Sequence, residues 1–208
     1  MNDDVDVFRS FALLRMTLYI LMIDTHSHIF EPEFKEDLPE VVARAKEIGV
    51  EKIFMPNIDD TSVADMLNVC RQYPGYCFPM LGFHPTSVEG PDAIYKVREM
   101  KNLLVDGHPY IAIGEVGMDL YWDKTWLKEQ QQILDEQIQW ALEWDLPLVI
   151  HCREAFPELF QVLSPYKETA LKGVFHSFTG TIDEARELLE YSHFMIGVNG
   201  VVTFKKST

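Results

Sequence analysis

A repeating rhythm constrains this chain more than any other feature. From Met22 onward, short and nearly continuous apolar runs alternate with longer amphipathic stretches. Ile23 to His28, Lys52 to Pro56, Cys77 to His84, Tyr110 to Val116, Pro147 to Cys152, Gly173 to Phe178 and Phe194 to Asn199 read as seven strands. Between them apolar residues recur at helical spacing. Leu38, Val41, Val42, Ala45 and Ile48 mark a helix over Glu33 to Ile48, with Gly49 as its stop, and Leu127, Ile133, Leu134, Ile138 and Leu142 mark one over Trp126 to Trp144. Further helices are expected from Ser62, as N-cap, to Cys70, over Ala93 to Val105 and Phe156 to Tyr166, and, behind a Thr181 cap, over Ile182 to Tyr191.

Strands that are apolar on both faces belong in a parallel sheet covered by helices. Seven in succession favour a (β/α)₈ barrel. A doubly wound sheet would want a glycine-rich phosphate loop after an early strand, and none is present. The fold class expected is therefore α/β, a TIM-like barrel. Such barrels typically need about 250 residues, and this chain has 208. The expectation is a C-terminally truncated barrel over residues 22–208 with about seven strands present, its first and seventh strands left as unpaired edges.

Residues 1–21 are expected to be an extension outside the domain, from a misplaced upstream start. Phe11 to Met22 is too short to span a bilayer and contains Arg15, and NDDVD is not the positive start of a signal peptide. Cys70, Cys77 and Cys152 form neither a disulfide framework nor a zinc-finger spacing, so reduced thiols and a cytoplasmic setting are expected. The net charge of −15 excludes a non-specific nucleic-acid coat. It leaves room for a local grip through bound cations, which can dominate the charge of a site. No membrane association and no obligate protein partner are expected.

The polar residues fall in a pattern. His26 and His28 close the first strand within MIDTHSHIF, His84 the third, Glu115 the fourth, His151 the fifth and His176 the sixth. Side chains at i and i+2 of a strand share a face, so His26 and His28 aim at one spot. In a parallel barrel the C-terminal strand ends converge on one face, where active sites sit. His108 and His193 fall at the other ends of their strands and read as surface residues. Cys152 should point away from its neighbour His151. A set of imidazoles and one carboxylate suits Zn²⁺, Mn²⁺, Fe or Ni, with a partly open Mg²⁺ site possible. The donors exceed what one catalytic zinc takes, and two metals roughly 3.5–4 Å apart sharing a carboxylate explain the count.

Taken together, MIDTHSHIF, GFHP, IGEVGMDLYWDK, QQQILDEQIQWALEWDLPLVIHCREA and FHSFTGT resemble the TatD family of metal-dependent deoxyribonucleases, within the amidohydrolase-like barrels. The resemblance runs from Met22 to the C-terminus. It implies two divalent metal ions, Zn²⁺, Mn²⁺ or Mg²⁺, one on His26, His28 and Glu115 and one on Glu115, His151 and His176, with Glu115 as the catalytic bridge. It implies hydrolysis of phosphodiester bonds by a metal-activated water, with DNA as substrate, gripped at an end. It makes His84 and Arg153 candidates for the substrate phosphate. The family also carries an Asp at the end of strand eight, which nothing here matches; Asp119, Asp123 and Asp183 are in the wrong places for it. Asn199 and Lys205 follow strand seven and are placed to face the mouth, and Trp122 is placed to stack a base. The alternatives are an amidohydrolase-like enzyme acting on an amide or aminoacyl ester, and an inactive fragment lacking the strand-eight Asp.

Overall fold

The structure is a computed structural model and describes residues 22–205. The expected extension, residues 1–21, lies outside the described residues. Seven strands run in sequence: β1 Met22–Asp24, β2 Val50–Pro56, β3 Cys77–Met80, β4 Ile113–Asp119, β5 Leu148–Arg153, β6 Gly173–Phe175 and β7 Phe194–Ile196. Between them lie α1 Leu38–Glu47, α2 Val63–Gln72, α3 Ala93–Lys101, α4 Leu127–Glu143, α5 Phe156–Leu163 and α6 Ile182–Leu188. Every strand pair is parallel and joins neighbours in sequence, β1-β2-β3 and β4-β5-β6-β7. A bridge from Leu81 to Ile113 joins the two groups into one arc. Among the described residues β7 does not pair with β1, so the arc is an incomplete barrel wall.

The strands are buried on both faces, which is why their sequences run apolar rather than alternate. Along β5, Leu148, Ile150 and Cys152 pack outward into the large core beneath the helices. Val149 points inward to a second, smaller cluster with Met80 and Ala112. Inside the arc this cluster borders an apolar cavity of about 630 Å³, walled by Phe54, Met80, Val149, Val174 and Ile196.

Several boundaries differ from those read in the sequence. β1 stops at Asp24, so His26 and His28 lie beyond the strand; the chain keeps beside β2 through the Ser27 N–H, which donates to the Phe54 carbonyl at 3.1 Å. β4 begins at Ile113 and reaches Asp119, which places Glu115 inside the strand. The helix expected from Glu33 is a short 3₁₀ turn, Pro32–Phe34, followed by α1, because Pro39 is tolerated only in a helix's first turn. Gly49 ends α1 at φ 96°, as its position suggests. Thr181 and Glu184 form a reciprocal capping box on α6. Ser62 precedes α2 but does not cap it; its hydroxyl donates to Asn57 Oδ1 at 3.0 Å instead.

Candidate metal centre

Glu115 is the centre of the site, only 4% exposed. The β4–β5 register shifts between Gly114 and Val116, leaving Glu115 without a partner on β5. Such a bulge re-aims a side chain, here toward the C-terminal mouth of the arc. Glu115 Oε2 lies 2.9 Å from His26 Nε2 and 3.6 Å from His28 Nε2, and Oε1 lies 3.2 Å from His151 Nδ1 and 3.6 Å from His84 Nε2. His26 Nε2 and His28 Nε2 are 3.1 Å apart. The His176 ring stacks on His26 with centroids 3.5 Å apart. The sequence-derived ligand set thus converges on one carboxylate.

The grouping differs from the one the resemblance implies. Two three-donor groups share Glu115: His26 with His176, and His84 with His151. His28 sits against His26 rather than completing a group of its own.

Tautomers separate the second group. His151 Nε2 lies 2.7 Å from Asp119 Oδ2. An ionised carboxylate only accepts, so both His151 nitrogens are protonated while they face Asp119 and Glu115; on giving up one proton to a metal, His151 keeps Nε2–H on the closer Asp119 and frees the Nδ1 lone pair. His84 is the reverse. Its Nδ1 accepts the Thr86 N–H at 3.2 Å. The Nε2 facing Glu115 therefore carries the proton when His84 is neutral, and offers a donor rather than a lone pair.

The charge states follow from burial set against these contacts. Burial raises the Glu115 carboxyl, but hydrogen bonds from His151, His26, His28 and His84 outweigh it and hold the group well below the usual carboxylate range. Burial lowers His151, yet its bonds to Asp119 and Glu115 lift it to about 9. His176 is pulled down to about 4 by burial and by the neighbouring His26, against the pull of Glu115. It is a neutral lone-pair donor at pH 7. The Nδ1 atoms of His26 and His28 are buried without a hydrogen-bond partner. Imidazole nitrogens crowded on a buried carboxylate, with no lysine or arginine paired to it among the described residues, fit a divalent metal that takes the place of the His151 proton. Cys152 is no ligand. It packs outward, and burial pushes its thiol up to about 12.

The remaining candidates are less central. Asn199 lines a cleft of about 210 Å³ with His26 and His176, and its side chain contacts Ser177. Lys205 is exposed. Arg153 shows no ion pair with Glu154 among the described residues; its guanidinium lies 3.5 Å from the Tyr121 ring centroid. His193 is exposed, as expected, whereas His108 is half-buried against Trp144.

Asp119 was missed as a partner of the site because it matches no family ligand. Strand parity could have found it, since 115, 117 and 119 alternate onto one face. Two buried glutamines were missed as well. On α4, Gln130 accepts the Asp119 N–H at 2.9 Å and donates to its carbonyl at 3.0 Å. Gln137 grips Phe83 in the same way, accepting at 2.7 Å and donating at 3.3 Å, and Phe83 precedes His84. Their signal was a pair of amides seven apart on the apolar stripe that carries Leu134 and Ala141.

Residues 23–208 match the family described as TatD related DNase. The metal-dependent hydrolase YabD of Bacillus subtilis (strain 168), itself called uncharacterized, is 32% identical over 191 residues, covering 90% of this chain and 72% of YabD. The 3'-5' ssDNA/RNA exonuclease TatD of Dickeya dadantii (strain 3937) is 31% identical over 184 residues, covering 87% of this chain and 67% of that protein. The crystal structure of YjjV, a TatD homolog from Escherichia coli K12, superposes with a TM-score of 0.79 at 28% identity, covering 92% of this chain and 73% of YjjV. With its carboxylate and imidazole cluster at the mouth of a parallel barrel wall, the chain belongs to the TatD related DNase family and is a metal-dependent hydrolase of the TatD type.

Proposed function

We propose that this chain hydrolyses phosphodiester bonds of single-stranded DNA from an end, using two divalent ions held around Glu115. One observation carries the reading: a carboxylate 4% exposed is met by four histidine rings within 3.6 Å. The relatives named as ssDNA/RNA exonuclease and as Deoxyribonuclease Tat-D support the choice of substrate.

The residues divide the work. His26, His28 and His176 would hold one ion with Glu115, and His151 would hold the second through Nδ1, Glu115 bridging the two. Zn²⁺, Mn²⁺ and Mg²⁺ are the candidate ions. When bound, divalent ions lower the pKa of water and neutralise charge that develops on phosphate oxygens. Glu115 stays ionised and orients the imidazoles. His84 Nε2–H and Arg153 donate to the substrate phosphate, which suits a bidentate guanidinium. Local cations at the site offset a net charge of −15. The reading extends to a single barrel domain beginning near residue 22 and to a cytoplasmic setting, which the free thiols Cys70, Cys77 and Cys152 fit.

The test is release of nucleotides from single-stranded DNA with Mg²⁺, Mn²⁺ or Zn²⁺, stopped by EDTA and restored by adding the ion back. No release with any of the three ions overturns the proposal.

A further inference from the structure

Beyond Asp119 the chain turns outward into Tyr121 and Trp122. These two rings are 44% and 74% exposed, far more than large aromatics need be. They meet edge to face with centroids 4.7 Å apart. Arg153 lies over both, 3.5 Å from the Tyr121 centroid and 5.5 Å from that of Trp122.

Two features distinguish this group from ordinary surface packing. Arg153 makes no ion pair among the described residues, although the chain carries an excess of carboxylates. A guanidinium resting on an aromatic face keeps its in-plane N–H donors for another acceptor. Arg153 also follows His151 by two residues on β5, so it shares that residue's face about 6.6 Å nearer the mouth.

The second feature is a cleft of about 280 Å³ on the Trp122 side. Pro85, Val88, Trp122 and Trp126 supply apolar walls, and Asp119, the partner of His151, lies at its floor. Its rim carries Glu89 and Asp123, and no cation lines it. Such a cleft repels a phosphate and admits a flat neutral group. The phosphate attached to that group is drawn instead to Arg153.

We propose that Trp122 and the cleft beside it form a nucleobase subsite, with Arg153 taking the adjacent phosphate of a single strand bound at the metal centre. This rests on the nuclease reading above and adds to it the groups that recognise the strand. A base must leave its stack to enter the cleft, which selects single strands over duplex. Stacking on an aromatic ring is tolerant of sequence, because every base has a π-face.

The test compares wild type, Trp122→Ala, Trp122→Phe and Arg153→Ala on a short single-stranded DNA and on an all-abasic strand of equal length. Affinity is read by fluorescence anisotropy with Mn²⁺ on cleavage-resistant phosphorothioate versions of both strands, and KM and kcat are read with Mn²⁺ on the ordinary phosphodiester strands. Trp122→Ala is expected to weaken binding of the base-bearing strand roughly 5- to 150-fold and to raise KM with it, leaving kcat within about twofold. Trp122→Phe restores most of the loss, and the penalty vanishes on the abasic strand. Arg153→Ala weakens both strands, since both keep their phosphates. Equal binding by wild type and Trp122→Ala, an equal loss on the abasic strand, or no strand binding with a base-independent KM overturns the subsite. The expected binding pattern without cleavage would sink the nuclease reading and leave the subsite standing; cleavage without the pattern would do the reverse.

Discussion

Asp119 Oδ2 and His151 Nε2 lie 2.7 Å apart at the ends of two adjacent parallel strands. This contact fixes which nitrogen of His151 faces Glu115. Metal-ligating histidines ordinarily pass their other N–H to such a carboxylate, and losing that partner costs 10–100-fold in metal affinity. Asp119→Asn should show a loss of this size for Zn²⁺ or Mn²⁺ by titration calorimetry. Unchanged affinity would mean that Asp119 serves packing alone.

His84 and His151 should separate experimentally. His84 offers a proton at Nε2 and His151 a lone pair at Nδ1. His151→Ala should lower bound metal, measured by elemental analysis after dialysis. His84→Ala should keep its metal and raise KM for DNA roughly tenfold, the cost of about one charge-assisted hydrogen bond. Metal loss in His84→Ala would instead make it a ligand.

The metal-free chain should be most stable near pH 6.5. The pKa of His151 is raised to about 9, so its contribution is complete below the ordinary histidine value of 6.5 and is lost as pH rises toward 9. The pKa of His176 is lowered to about 4, so folding keeps it neutral while the unfolded chain takes up a proton; stability falls as pH drops from 6.5 toward 4. The lowered Glu115 and Asp119 carboxyls add to the acid-side loss below their ordinary values. Thermal melts in EDTA across this range should trace a maximum, and a Tm that climbs steadily to pH 9 would contradict it. Bound metal must displace the His151 proton, so metal affinity should rise with pH over the same alkaline limb.

Gln137→Leu should destabilise the chain. It leaves the Phe83 N–H and carbonyl without the partners they have at 2.7 and 3.3 Å. The two stranded buried groups cost about 1–3 kcal/mol each, or about 2–6 kcal/mol together. Urea denaturation should report a loss in that range with an unchanged m-value. A loss below about 0.5 kcal/mol, the scale of an ordinary surface substitution, would mean that water takes over the amide's place.

Gly117 marks where β4 passes closest to β5. It sits at φ 142°, and a Cβ there would meet the His151 carbonyl oxygen at 1.9 Å. Gly117→Ala must part the strands that carry Glu115 and His151. A loss of about 4 kcal/mol or more is expected, or failure to fold. Gly90→Ala is the control, because nothing lies within 4 Å of its Cβ. Equal Tm values for the two variants would refute the clash.

The sequence by itself determined the parallel α/β class and the order of seven strands, and it singled out His26, His28, Glu115, His151 and His176 as candidate donors at the strand ends. Both kinds of information are local: apolar runs and helical spacing describe one element at a time, and the polar strand ends declare themselves by position. What it left open is relational. The bulge that frees Glu115, the grouping of His84 with His151, and the grips of Gln130 on Asp119 and Gln137 on Phe83 all depend on contacts between residues far apart in the chain. Periodicity has no term for such contacts. A buried polar atom must find its partner wherever packing brings one within about 3 Å, so only the tertiary structure decides which residue that is.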